Sequence, residues 1–77
     1  MKVPGRDITY AELKDVMRRH TDMMIAMKGE YIGIHEMRKH VAWYTTGIPN
    51  SAKLRARVCS IETAEELYAA IDEIGNN

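Results

Sequence analysis

Phenylalanine is absent from this 77-residue chain, proline occurs twice and cysteine once. A single thiol excludes an intrachain disulfide and fits a reducing, cytoplasmic setting. No apolar run approaches the ~18–20 residues that span a bilayer, so no membrane segment is expected. Met1 and Lys2 lead into Val3, Pro4 and Gly5, not into an apolar h-region, so no signal peptide is expected. There is no Gly-rich phosphate loop, nucleophile elbow or carboxylate pair with a positioned base. A stand-alone enzyme is therefore not expected, and no catalytic residue is assigned. The length itself allows one thin core, because a chain this short buries only about 60% of its unfolded surface. A TIM barrel, a Rossmann enzyme or a second domain does not fit.

Hydrophobic residues make up 45% of the chain, enough to fold. The net charge of zero hides an uneven distribution. Residues 1–27 carry five basic and four acidic groups, residues 28–57 six basic and two acidic, and residues 58–77 five acidic and no basic. The central block is basic enough to face an anionic partner, or to be neutralised by the acidic C-terminal segment packed beside it.

Short β-branched runs and abundant Leu, Met, Ala, Glu, Lys and Arg favour helix. The spacing predicts four helices. The first runs from Thr9 to Lys28, with Thr9 and Glu12 as a capping box and Gly29 as a stop. Its stripe is Leu13, Val16, Met17, His20, Met24 and Met27, and its methionines read as core. The second runs from Ile34 to Thr46, with Ile34, Met37, Val41 and Tyr44 inward, and ends at Gly47 and Pro49. Glu30 to Gly33 reads as either a preceding turn of helix or a loop. The third, Ser51 to Val58, takes Ser51 as its cap. The fourth begins at Thr63 with Glu66 and turns Leu67, Tyr68, Ala70, Ile71 and Ile74 inward. The predicted fold is all-α, a small four-helix bundle. Its core is expected to contain Leu13, Val16, Met17, Val41, Tyr44, Leu54, Leu67 and Ile71. Residues 1–8 read as a flexible lead-in, or as a cut made inside a longer protein, and residues 9–75 as one helical domain.

Metal chemistry finds little support. His35, Glu36 and His40 invite comparison with the zincin helix, but that motif needs histidines four apart. Here they are five apart, roughly 140° around the helix at ~100° per residue. The C-terminal carboxylates lack the loop spacing and turn glycine of a calcium site. His20, on an apolar stripe, reads as a packed, hydrogen-bonded histidine, and Cys59 as a structural or tolerated thiol.

The informative stretch is Glu36 to Arg57. Trp43 falls opposite the Ile34–Val41 stripe, with Glu36, Lys39, His40 and Gly47 as its neighbours on the helix. An aromatic ring on a polar face beside a Lys and a His can stack on a base or contact phosphates. It can equally dock against another domain. The candidate RNA-binding residues are Lys39, His40, Trp43, Lys53 and Arg57, with Arg38 and Arg55 added. Arg38 is equally readable as an ion-pair partner of the acidic fourth helix. Lys53 and Arg57, one turn apart, share a side of the third helix.

The run Glu36-Met37-Arg38-Lys39-His40-Val41-Ala42-Trp43-Tyr44, then Gly47-Ile48-Pro49, then Leu54-Arg55-Ala56-Arg57, then Glu62-Thr63-Ala64-Glu65-Glu66-Leu67 resembles a known pattern. It is similar to the C-terminal helical domain of bacterial tRNA-dihydrouridine synthases, more closely the branch once described as nitrogen-regulation proteins. The resemblance extends from about Leu13 to Ile74. It implies a tRNA-binding accessory domain, with an N-terminal flavin-binding barrel absent from this chain. That barrel would hold FMN and the catalytic cysteine and take electrons from NADPH to reduce a uridine in tRNA. No cofactor is expected in these 77 residues, and a monomer is expected. Two positions depart from the pattern: Cys59 stands where a polar residue such as Asn is expected, and Thr46 where a Lys commonly precedes the glycine. The second departure thins the basic face. A helical protein-interaction or interdomain docking module is the alternative function.

Overall fold

The computed structural model describes residues 2–75. It is all-α, with three helices and no strand among the described residues. Helix α1 spans Tyr10–Tyr44, α2 Ala52–Val58 and α3 Ala64–Asp72. The two longest predicted helices are thus one element, interrupted at Gly29 (φ 85°, ψ 163°). A straight helix of 35 residues would be about 52 Å long at ~1.5 Å per residue. The whole molecule extends only 33 Å along its longest axis. The chain reverses at Gly29, and residues 30–44 run back along residues 10–28. Glu30 to Gly33 are helical, the first of the two readings their sequence allows.

Gly33 allows the two arms to touch. A Cβ there would lie 3.1 Å from backbone atoms of Met24 and Ile25. Lys28 Nζ donates to both Glu36 carboxylate oxygens at 2.7 and 3.0 Å, bridging the arms beside the turn. Farther along, His20 Nδ1 lies 3.1 Å from the Tyr44 hydroxyl.

At the start of α1 the capping box forms as read: Glu12 N–H donates to Thr9 Oγ1, and Thr9 N–H donates to the Glu12 carboxylate, both at 3.1 Å. Leu13, Met17 and Met24 from the first arm meet Ile34, Met37 and Val41 from the second. Leu67, Ala70, Ile71 and Ile74 close this core from the C-terminal segment. Five of the eight expected core residues are fully buried: Leu13, Met17, Val41, Leu67 and Ile71. Tyr44 and Leu54 are half-buried and pack against the core. Val16 is 47% exposed and Met27 70% exposed, contrary to expectation. Val16 lies about 60° around the helix from the fully buried Leu13 at ~100° per residue, at the edge of the buried stripe.

Two local expectations changed. Ser51 makes no side-chain cap to α2; its backbone is already helical, and its hydroxyl donates to the Thr45 carbonyl at 3.2 Å. The lead-in contributes a core residue, Val3, whose N–H donates to the Ile8 carbonyl at 2.8 Å.

Polar contacts tie α3 to the hairpin. Arg18 pairs with Asp72, and Lys14 Nζ donates to the Asp72 carbonyl at 2.9 Å. Tyr68 donates its hydroxyl proton to Asp22, which raises the phenol's pKa, with burial adding to the effect. Glu30 accepts from Ala64 N–H at 2.8 Å, placing a carboxylate at the start of α3, where the helix dipole favours it.

Candidate nucleic-acid interface

The second arm of α1 presents Lys39, His40 and Trp43 within one turn. Trp43 is 67% exposed. Its ring is nevertheless held: the Arg6 guanidinium carbon lies 5.7 Å above the ring centroid, and an Arg6 N–H donates to the Trp43 carbonyl at 3.3 Å. Tyr44 meets the same ring edge-on, at 5.4 Å between centroids and 68° between planes.

Beside Trp43 opens a shallow hollow of about 500 Å³, lined by His20, Lys39, His40, Trp43 and Tyr44. The His20 and His40 rings lie 4.5 Å apart between centroids, tilted at 54°. Burial first, then the proximity of His40, lowers the pKa of His20. His20 is therefore the packed, hydrogen-bonded residue expected, with Tyr44 as its partner. Glu36 is the nearest acidic neighbour on the helix. Its hydrogen bond to Lys28 holds its pKa down, with Lys39 and His40 adding to the effect. The Lys28 pair partly offsets the carboxylate that would otherwise neutralise Lys39.

The other sequence-derived candidates lie elsewhere. Lys53 and Arg57 line a second hollow of about 220 Å³, together with Asn50, Ser51 and Glu73. Arg57 forms an ion pair with Glu73, so the acidic C-terminal segment does neutralise part of the basic block. Arg38 donates through Nε to the Ile61 carbonyl at 2.8 Å and through a second N–H to the same oxygen. Its partner is thus a backbone carbonyl before α3, not a carboxylate on it. Arg55 is also turned inward, donating to Ser51 Oγ and to the Thr45 carbonyl. The seven candidates therefore divide into three sets. Lys39, His40 and Trp43 come together, Lys53 and Arg57 form a second site, and Arg38 and Arg55 brace the fold.

Arg6, His20 and Tyr44 were not among the candidates. His20 and Tyr44 fall on apolar stripes, and their place in the hollow depends on how the arms pair. Arg6 lies 37 positions from Trp43, and no local pattern connects them.

The match to known families decides the chain's ancestry. Residues 2–76 match the family model "Dihydrouridine synthase (Dus)". The chain belongs to the dihydrouridine synthase family. It is 36% identical over 66 residues to a probable tRNA-dihydrouridine synthase of Mycobacterium tuberculosis, covering 86% of the chain and 17% of the relative. It is 40% identical over 66 residues to a probable tRNA-dihydrouridine synthase of Rickettsia typhi, covering 86% and 19%. It is 31% identical over 71 residues to tRNA-dihydrouridine synthase B of Vibrio cholerae, covering 92% and 22%. The chain thus spans about a fifth of the length of the curated relatives it matches. No solved structure matches it.

The family is flavin-dependent. Both hollows are at the surface, and no buried side-chain nitrogen or oxygen among the described residues lacks a hydrogen-bond partner. Nor do the described residues include a group of three His, Cys, Asp or Glu side chains able to hold a metal ion. Cys59 is exposed. No helix among the described residues is long and apolar enough to cross a membrane.

Proposed function

We propose that this chain is the C-terminal helical domain of a tRNA-dihydrouridine synthase, of the branch once described as nitrogen-regulation proteins, and that it helps to grip tRNA. The two arms of α1, with α2 and α3, would make the four segments of that domain's bundle. The remainder of the enzyme would supply a flavin-binding barrel, with FMN, NADPH and the catalytic cysteine acting there on a uridine. The observation that carries the RNA-binding role is the fixed, exposed Trp43 beside Lys39, His40 and Arg6. Cations around an exposed aromatic ring suit phosphate, sugar and base together. Lys53 extends the basic surface from the second hollow, and Arg57 joins it when released from Glu73. Arg38 and Arg55 support the face by holding the segments that follow α1.

Interdomain docking is the second reading. It is favoured by Val16, Met23 and Met27, all about half exposed or more along the first arm. Amide shift mapping with unmodified tRNA at low salt separates the two. Shifts centred on Lys39, His40 and Trp43 are expected. Shifts confined to the acidic face of α3, or none at all, would defeat the RNA-binding role and leave docking in its place.

A further inference from the structure

The hollow beside Trp43 has a composition that a simple phosphate-binding surface does not need. Four of its five lining residues carry aromatic or imidazole rings: His20, His40, Trp43 and Tyr44. The rings brace one another, with His20 edge-on to Tyr44 at 6.0 Å and 81°, and Tyr44 edge-on to Trp43. The one full cation in the lining is Lys39, and no carboxylate lines the hollow. A volume of about 500 Å³ lies within the ~300–1,000 Å³ of small-molecule sites. Bases in a duplex are stacked inside it and cannot enter such a hollow, whereas an unpaired base can be splayed out and stacked on protein rings.

We propose that this hollow receives one unpaired nucleotide of an RNA, its base stacked against Trp43 and its phosphate held by Lys39. The inference rests on the RNA-binding reading above and narrows it from a backbone grip to capture of a single-stranded element. Arg6 is then a positioning residue. It lies outside the lining of the hollow and acts through Trp43: a bond to the Trp43 backbone carbonyl places its guanidinium over the indole ring. An exposed aromatic ring held in place before binding loses less freedom when a base arrives. His40 adds a second flat surface, kept in place by His20.

Trp43 is the only tryptophan in the chain, so its emission reports directly from the hollow. The test titrates the 77-residue chain with two labelled RNAs: a single-stranded octamer without self-complementarity, and a fully paired RNA duplex. Anisotropy gives affinity, and tryptophan emission reports stacking. The octamer is expected to quench Trp43, and the duplex to bind without quenching. Trp43→Ala should weaken octamer binding by about 10- to 100-fold, the scale of one lost base stack, with duplex binding changed far less. Arg6→Lys keeps the charge but loses the planar guanidinium. It should weaken the octamer several-fold and spare the duplex, whereas a merely electrostatic Arg6 would leave both unchanged. Octamer binding without quenching, together with indifference to Trp43→Ala, would overturn the nucleotide subsite and leave the RNA-binding role intact. Failure of both RNAs to bind would overturn the subsite and the RNA-binding role together.

Discussion

Gly33, in the second arm of α1, lies directly against Met24 in the first: a Cβ on Gly33 would stand 3.1 Å from the Met24 carbonyl oxygen. The obstructing atoms are backbone, which cannot swing away as a side-chain tip could. Gly33→Ala gains about 0.8–1.0 kcal/mol of helix propensity but incurs the ~1–3 kcal/mol of overpacking. The expected net result is a loss on the order of 1 kcal/mol, visible as a lower denaturation midpoint. Gly33→Leu should prevent the arms from closing, with loss of cooperative unfolding.

Gly29 has open space around it but an unusual backbone, with φ 85° and ψ 163°. That region is essentially restricted to glycine, and another residue there costs about 1–3 kcal/mol. Gly29→Ala should therefore destabilise the chain by that amount. Chemical denaturation checks it: an unchanged midpoint would mean that the reversal does not need this conformation.

Arg38 and Lys39 are adjacent in sequence but should respond oppositely to truncation. Arg38→Ala removes both donors from the Ile61 carbonyl and should cost about 1–3 kcal/mol of stability, the scale of an unsatisfied buried group. Lys39→Ala should leave the thermal midpoint within a degree or two and act on RNA affinity. Equal thermal midpoints for the two variants would show that Arg38 does not brace the segment before α3.

His20 gives stability a defined pH dependence. Burial, and secondarily His40, lower its folded pKa below the ordinary 6.5. As pH falls through about 6.5 the unfolded chain takes up this proton first, so the unfolded state gains and stability falls. The contribution is fully present above that value and is lost between it and the lower folded pKa. Thermal midpoints from pH 8 to pH 5 should fall more steeply for the native chain than for His20→Asn. Parallel curves would remove His20 as the cause.

Local signals carried much of the architecture. The Thr9–Glu12 capping box, the Leu13–Met17–Met24 stripe and the Ile34–Met37–Val41 stripe all depend on neighbours within one or two turns. Gly29 was legible as an end to the first helix, but its role in reversing the chain depends on contacts between residues 20 and 44. Val16 shows the limit of periodicity, which marks a stripe without saying how wide the covering element is. The candidate site divides in the same way. Lys39, His40 and Trp43 share a helix face and were readable together. The inward turn of Arg38 depends on Ile61, and the clamp on Trp43 depends on Arg6, both distant in sequence.

The most direct measurement of the proposed tRNA grip is the salt dependence of affinity for unmodified tRNA, taken in parallel for the native chain and Lys39→Ala. Each phosphate contact contributes about 0.7–0.9 to the slope of log affinity against log salt. The expected result is weaker binding by Lys39→Ala at low salt, with a slope shallower by about that amount. Equal slopes and equal affinities for the two proteins, or no tRNA binding by the native chain even at low salt, would contradict it.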